Sequence, residues 1–298
     1  MSKSGCFSER LFLSLNPILK KYFPGIIHTK TSKTDRKNYK KICRLAAENG
    51  SVFKTFKRHK DYREVLEHVT ENQGRDYLKI IKENCENLLK FFPKFKENDF
   101  YGSPIKYDYD VCQFSPTTLR YIKVLCDLKK IFGDLSGLKI VEIGGGYGGQ
   151  CKIISDVFQY QSYSIVDLED VVLLIQKYLR KLKVGRFDCL AQDQIKNNLT
   201  CDLVISNYAF SECIKAIQDD YINKVLNKAK RGYLTYNYDN EKPTLSLPMT
   251  PYNKKEIVRI LSQKHVIRTI DEKPKTGPMN FIIIWDDTKK MMGINLRI

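Results

Sequence analysis

The sequence predicts an α/β protein: an open, mainly parallel sheet flanked by helices, finished by an antiparallel strand and preceded by a basic helical region. Three observations predict it. From residue 115 onward, short β-rich apolar runs alternate with helix-patterned segments. The run Lys139-Ile140-Val141-Glu142-Ile143 leads into five glycines within six positions, Gly144, Gly145, Gly146, Gly148 and Gly149, then into a helix-like run ending near Phe158. The last two strand-like runs, residues 265–271 and 281–285, are joined by a loop with no helix between them, so they must pair antiparallel.

The chain has 298 residues, 42% of them hydrophobic, enough for one large or two modest domains. We expect a basic helical region over 1–98 and the sheet domain over 99–298. No run approaches the roughly 20 apolar residues of a membrane span. Residues 11–18 are apolar but short, contain Pro17 and lack a cleavage pattern. The reading is a cytoplasmic protein without a transmembrane segment. Nine cysteines at wide spacing, with no C-x-x-C, argue against a disulfide framework or a zinc ribbon and for mostly reduced thiols.

The net charge of +17 is uneven: residues 1–98 carry 22 Lys+Arg against 11 Asp+Glu, and residues 20–60 carry 13 against 2. A basic segment of this kind is either a solvated face or a surface for an anionic partner.

In chain order, residues 38–49 form a helix ended by Gly50, with Ile42, Leu45 and Ala46 inward. Helices follow over 61–69 and 75–92, the second with Leu78, Ile81, Cys85, Leu88, Leu89 and Phe92 at helical spacing and Pro93 stopping it. Residues 99–114 are an aromatic loop, either a ligand rim through Tyr101, Tyr107 and Tyr109 or an ordinary connector. Ser115-Pro116 supplies a cap and first residue for a helix ended by Gly133. Strands are expected at 139–143, 162–167, 186–190, 201–206 and 233–238, with helices at 171–183 and 214–225, the latter segment stopping at Gly232. Asn253 and Glu256 read as a capping box for a helix through Lys264.

Strand, glycine turn and helix build a nucleotide site, because glycine adopts positive φ and lets a ligand approach the backbone. The glycines alone fit two patterns: Gly144, Gly146 and Gly149 spell the dinucleotide fingerprint G-x-G-x-x-G, and Glu142, Gly144, Gly146 and Gly148 spell E-x-G-x-G-x-G, which resembles motif I of S-adenosylmethionine (SAM) dependent methyltransferases. Asp167, 23 residues after Gly144, stands where an acid can take both hydroxyls of a ribose; the bland alternative is a helix-start acid.

Beyond the motif, EIGGGYGGQ at 142–150, SPTTLRYI at 115–122, SNYAFSE at 206–212 and TGPMN at 276–280 resemble the sugar O-methyltransferase family of bacterial polysaccharide loci, the NanM-like group, over about residues 99–290. The resemblance implies a class I methyltransferase, Rossmann-like sheet of seven strands with an antiparallel last strand. It implies SAM as methyl donor and a sugar or nucleotide-sugar hydroxyl, a capsule or lipopolysaccharide precursor, as acceptor. Candidate donor-binding residues are Arg120, Glu142, Gly144, Gly145, Gly146, Tyr147, Gln150, Asp167, Leu168, Asp193 and Asn207. Candidate acceptor-binding residues are Tyr101, Thr118, Tyr208, Ser211, Tyr236 and Asn237. The string Asn207-Tyr208-Ala209-Phe210 lacks the prolines of nucleic-acid amino-methyltransferases, so no nucleic-acid partner is expected.

A sugar hydroxyl is weakly acidic, so a proton acceptor should assist transfer. Glu212 is the first candidate base; its alternative role is to complement the helix dipole. His265, between a helix and a strand, is the second, and there a structural role competes. No acid-and-histidine cluster suggests a metal. Two other readings stay open: a methyltransferase for another small molecule or macromolecule, and an NAD-binding or non-catalytic protein. The helical region is expected to be a lid or a homo-oligomer contact and its basic charge to recruit or cover an anionic acceptor rather than RNA, so removing residues 1–60 should raise the acceptor KM and leave SAM affinity nearly unchanged.

Overall fold

The computed structural model describes Ser32 and residues 35–110, 112–197, 199–237 and 250–288. The expected turn at Pro24-Gly25, the apolar run at 11–18 and the end of the fifth strand at Tyr238 lie outside these residues.

A small hairpin, β1 (Tyr107–Tyr109) with β2 (Cys112–Phe114), precedes the main sheet. The main sheet holds β3 (Lys139–Ile143), β4 (Ser162–Asp167), β5 (Phe187–Ala191), β6 (Leu203–Asn207), β7 (Arg231–Tyr236), β8 (Arg268–Asp271) and β9 (Phe281–Asp286). Their order across the sheet is β5-β4-β3-β6-β7-β9-β8. The first five run parallel, and β9 is antiparallel to both of its neighbours. This is the class I methyltransferase fold. The order reverses at β3, which pairs with β4 on one side and with β6 on the other. Open α/β sheets bind ligands at that switch point, outside the carboxyl ends of the strands.

Alternation along the strands splits the interior in two. Ile140, Tyr163, Ile165, Leu203, Ile205 and Tyr233 face one core; Val141, Ile143, Val166, Val204 and Leu234 face the other. The first core also takes residues from before position 98. Helix α1 (Lys37–Glu48) buries Tyr39, Ile42, Cys43 and Ala46 and packs on the helix that follows β4. Leu45 faces solvent rather than the core. The chain then forms α2 (Gly50–Thr55), the short α3 (Lys60–Arg63), α4 (Glu71–Asn84) and α5 (Phe92–Phe95).

Several helix boundaries differ from the sequence expectation, each for a local reason. The first helix ends at Glu48, just before Gly50 as expected, but the chain turns straight into another helix: Asn49 accepts from the N–H groups of Ser51 and Val52 and starts α2. The helix expected over 61–69 is only α3. Thr70 and Gln73 form a capping box that starts α4 instead. Pro93 opens α5 in its first turn, where a missing N–H costs nothing. Gly232 lies inside β7 opposite Trp285, and an added Cβ would run into the indole ring.

Helix α6 (Pro116–Phe132) begins as expected, with Ser115 accepting from the Thr118 N–H and Gly133 at its end. Asp99 fixes that start by accepting from the Ser115 N–H at 2.7 Å and from the Thr118 hydroxyl at 2.8 Å. After the glycine turn come α7 (Gly149–Ser155) and, after β4, α8 (Glu169–Lys181). The second half adds α9 (Ala209–Glu212), α10 (Lys215–Lys224) and α11 (Lys254–Leu261), the last with the Asn253–Glu256 capping box. Cys85 and Cys126 form a disulfide joining the end of α4 to α6, while Cys43, Cys112, Cys151, Cys189, Cys201 and Cys213 are free thiols.

Candidate functional site

The carboxyl ends of β3, β4 and β6 frame a cleft of about 280 Å³. Its floor is Gly144, Gly146, Asp167, Asn207, Tyr208, Ala209 and Glu212. Asn237, Thr276, Gly277 and Asn280 form one wall. Tyr39, Val65, Leu66, His68, Val69 and Gln73 come from the N-terminal helical region and cover it.

Gly144, Gly146 and Gly148 take φ of 82°, 61° and 92°, which is why this turn is glycine. A Cβ on Gly144 would collide with Ala209, and one on Gly146 would lie 2.8 Å from Leu66 Cδ1. The roof therefore rests directly on the turn. Asp167 accepts from the Gly146 N–H at 3.1 Å and from the Leu168 N–H at 2.7 Å. Burial lifts its pKa to about 6 against those backbone donors. A carboxylate has about four lone-pair sites, so Asp167 retains capacity for hydroxyl donors.

Arg120 enters from α6. It is 7% exposed, its Nε–H has no partner, and no carboxylate lies within ion-pair distance of it among the described residues. Burial pulls its pKa down, but Tyr121, Tyr77, Tyr208 and Glu67 outweigh that, and the net shift is upward. A buried guanidinium without an ion pair is costly unless a ligand anion completes it. Asn207 is similar: its amide donates weakly to Gln150 at 3.5 Å, and its Oδ1 is buried without a partner.

Tyr208 has φ 71°, a sparsely populated conformation for a tyrosine, and such strain gathers at functional sites. Its hydroxyl meets Glu272 and, at 3.1 Å, Thr276. Glu272 also accepts from the Thr276 N–H and the Asn280 amide, which fixes the loop carrying TGPMN against the cleft. Glu212 accepts from the Asn237 amide at 3.2 Å, and Ser211 bonds both Asn237 and the Tyr208 carbonyl.

Of the expected residues, Arg120, Gly144, Gly146, Asp167, Asn207, Tyr208, Glu212 and Asn237 line the cleft. Others point elsewhere. Glu142 is buried and accepts from the Tyr163 hydroxyl at 2.9 Å; burial first, and then Asp167, raise its pKa to about 8. Gly145 faces Ile165, and Gln150 bonds the Tyr121 carbonyl. Tyr147 is buried beneath the turn, with Lys57 Nζ 3.7 Å from its ring centre. Leu168 packs against the first core, and Asp193 is exposed after β5. Thr118 is held by Asp99 and Asn98, Tyr101 packs on Phe53, and Tyr236 bonds the Tyr252 carbonyl. Ser211 supports Asn237 from behind.

His265 requires a correction. It bonds Asp287 at 2.7 Å and the Leu226 carbonyl at 3.1 Å and stacks on Trp285 at 4.7 Å. Those partners adjoin the amino end of β7, opposite the cleft, so it is a packed structural histidine and not a base.

The sequence reading allowed for a lid in the N-terminal region but named neither His68 nor the segment that covers the cleft. The available signal was a short mixed segment, Val65-Leu66-Glu67-His68-Val69, too apolar for a solvated loop and ended by the Thr70 cap. Among the described residues no group of His, Cys, Asp and Glu is arranged to hold a metal.

No protein-family model and no curated protein sequence matches the chain. Solved structures match at low identity. A SAM dependent methyltransferase from Aquifex aeolicus is 18% identical, with 70% of this chain and 97% of that chain covered and a TM-score of 0.37. An rRNA methylase from Streptococcus thermophilus is 14% identical over 56% and 96%, with a TM-score of 0.40. The N-terminal domain of EvdMO1, in the presence of SAH and D-fucose, is 10% identical over 56% and 82%, with a TM-score of 0.44. Likeness at this distance assigns no activity; the strand order defines the class of fold, and the cleft carries the functional reading.

Proposed function

We propose that the protein is a SAM-dependent methyltransferase acting on a hydroxyl of a sugar, in a nucleotide-linked or surface-polysaccharide precursor. One observation carries this: at the switch point, the glycine turn and Asp167 share a cleft with Arg120, a buried cation without an ion pair. That set fits a nucleoside that also bears a carboxylate. The glycine turn takes the close-packed backbone of the ligand, Asp167 its ribose hydroxyls, and Arg120 with Asn207 its amino-acid end. A dinucleotide offers no such amino-acid group, and the antiparallel β9 also favours the methyltransferase reading over an NAD-binding one.

SAM supplies an electrophilic methyl group when bound. Asp167, Arg120 and Asn207 would hold SAM, its methyl group would pass to the acceptor oxygen, and the chain's own part is to place that hydroxyl and receive its proton. Glu212 takes the hydroxyl proton, with the Asn237 amide orienting its carboxylate. The segment over the cleft would help hold the reactants together, the source of much of the rate in such transfers. The sugar acceptor rests on the motif resemblance. Incubation with methyl-labelled SAM and a panel of nucleotide sugars, other small metabolites, RNA and protein tests the reading. Label should enter a nucleotide sugar or glycan precursor, and Glu212→Gln should lower kcat roughly 10²–10⁴-fold. Label entering only RNA or protein overturns the acceptor class.

A further inference from the structure

The roof places a titratable group in the cleft that the reaction above does not use. His68 lies in the irregular segment between α3 and α4, lines the cleft and is solvent-exposed at its mouth. A neutral imidazole carries one N–H donor and one bare nitrogen that accepts. Its segment is anchored: the Thr117 hydroxyl donates to Glu67 at 3.0 Å, and Leu66 rests on Gly146.

We propose that His68 is an acceptor-binding residue, whose unprotonated ring nitrogen accepts a hydrogen bond from a hydroxyl of the methyl acceptor. This rests on the methyltransferase reading and adds a contact from the N-terminal region to it. The deep polar groups, Arg120 and Asn207, suit the donor, which must lie on the glycine turn. The polar group at the mouth meets the second substrate. A hydrogen-bond acceptor there selects a ligand with hydroxyls and leaves the reacting proton to Glu212.

The residue as a whole is open to solvent, but its surroundings in the cleft favour the neutral ring: desolvation first, and the Arg120 guanidinium second, push its pKa down to about 4. The other ionisable groups lining the same cleft are Tyr39 from α1, Asp167 at the end of β4, and Tyr208 and Glu212 after β6. Protonation would set a second cation beside Arg120, in the space where a sulfonium must also sit.

The test uses the full chain. His68→Phe keeps a ring but no nitrogen; His68→Asn and His68→Gln put an amide oxygen near one or the other nitrogen position. SAH affinity by calorimetry should stay within about threefold in all three, since Arg120 and Asp167 are untouched. With labelled SAM and nucleoside diphosphate sugars, the acceptor KM of His68→Phe should rise tenfold or more with a smaller change in kcat. One amide variant should recover most of the loss. In parallel, ¹⁵N spectra of the parent bound to SAH should show His68 neutral at pH 6, with one protonated and one bare nitrogen. An imidazolium at pH 6, an unchanged KM in His68→Phe, or a loss of SAH binding equal to the loss of activity would each overturn the role. Failure of the parent to bind SAH overturns the methyltransferase reading instead.

Discussion

Glu142 shows how a motif position and its chemistry can separate. The pattern E-x-G-x-G-x-G suggests an acid under the donor, but the pleat of β3 turns Glu142 into the first core against Tyr163. With its pKa raised from 4.5 to about 8, it folds as the neutral acid at pH 7. The folded state holds that proton more tightly than the unfolded chain. The associated stability is therefore fully present below about pH 4.5 and is lost as pH rises through about 8. A Glu142→Gln variant keeps an oxygen for Tyr163 and cannot ionise. Urea unfolding should show the variant close to the parent at pH 5 and more stable by roughly 2–4 kcal/mol at pH 8, given about 1.4 kcal/mol per pKa unit. An equal difference at both pH values would mean that Glu142 does not titrate in this range. The strand, the turn and Asp167 were legible from local sequence because each is set by neighbouring residues. The inward positions of Tyr147, Gln150 and Tyr236 were not, because a string does not say which way a side chain leaves a turn or a strand end.

Between elements, the roof is the feature that links fold to site. Its outer end is set by the Thr70–Gln73 capping box of α4, its inner end by buried Tyr62, and its middle by Leu66 on Gly146. Sequence periodicity reads such a segment as helix because its apolar residues recur at helical spacing. The structure turns those same residues toward the cleft. Leu66→Ala leaves a gap over the glycine turn. Leu66 is partly buried, so the cost should be about 1–2 kcal/mol, below the roughly 2–5 kcal/mol of a fully buried leucine. Hydrogen exchange should quicken at residues 64–69 well beyond the global change, and SAH should dissociate faster. Exchange that rises only in step with global stability would show that the segment does not act as a separate cover.

For the molecule as a whole, the basic N-terminal region is joined to the sheet domain by a continuous core. Phe53 and Phe56 pack with Tyr178 and Tyr147, and Lys57 Nζ donates to the Asn98 carbonyl at 3.0 Å. Asn98 in turn bonds Tyr147 and Thr118. The expectation that residues 1–60 are dispensable for SAM binding does not survive this: their loss uncovers α8 and the underside of the glycine turn. Removing residues 1–60 should abolish SAH binding with loss of cooperative unfolding, and retained SAH affinity in that truncation would contradict a shared core. The charge asymmetry was plain in the sequence, but charge says nothing about which apolar residues lie beneath it. Among the described residues no helix is long and apolar enough to cross a membrane.

The central claim is that the cleft at the β3 and β6 switch point is a site for SAM. Calorimetric titration of the full chain with SAH and with NAD, alongside Asp167→Ala, tests it most directly. The account predicts one-to-one binding of SAH, none of NAD, and SAH affinity reduced roughly tenfold or more in Asp167→Ala, since a hydrogen bond to a charged group contributes about 1.5–3 kcal/mol. Binding of NAD without SAH, or SAH affinity indifferent to Asp167, would contradict it.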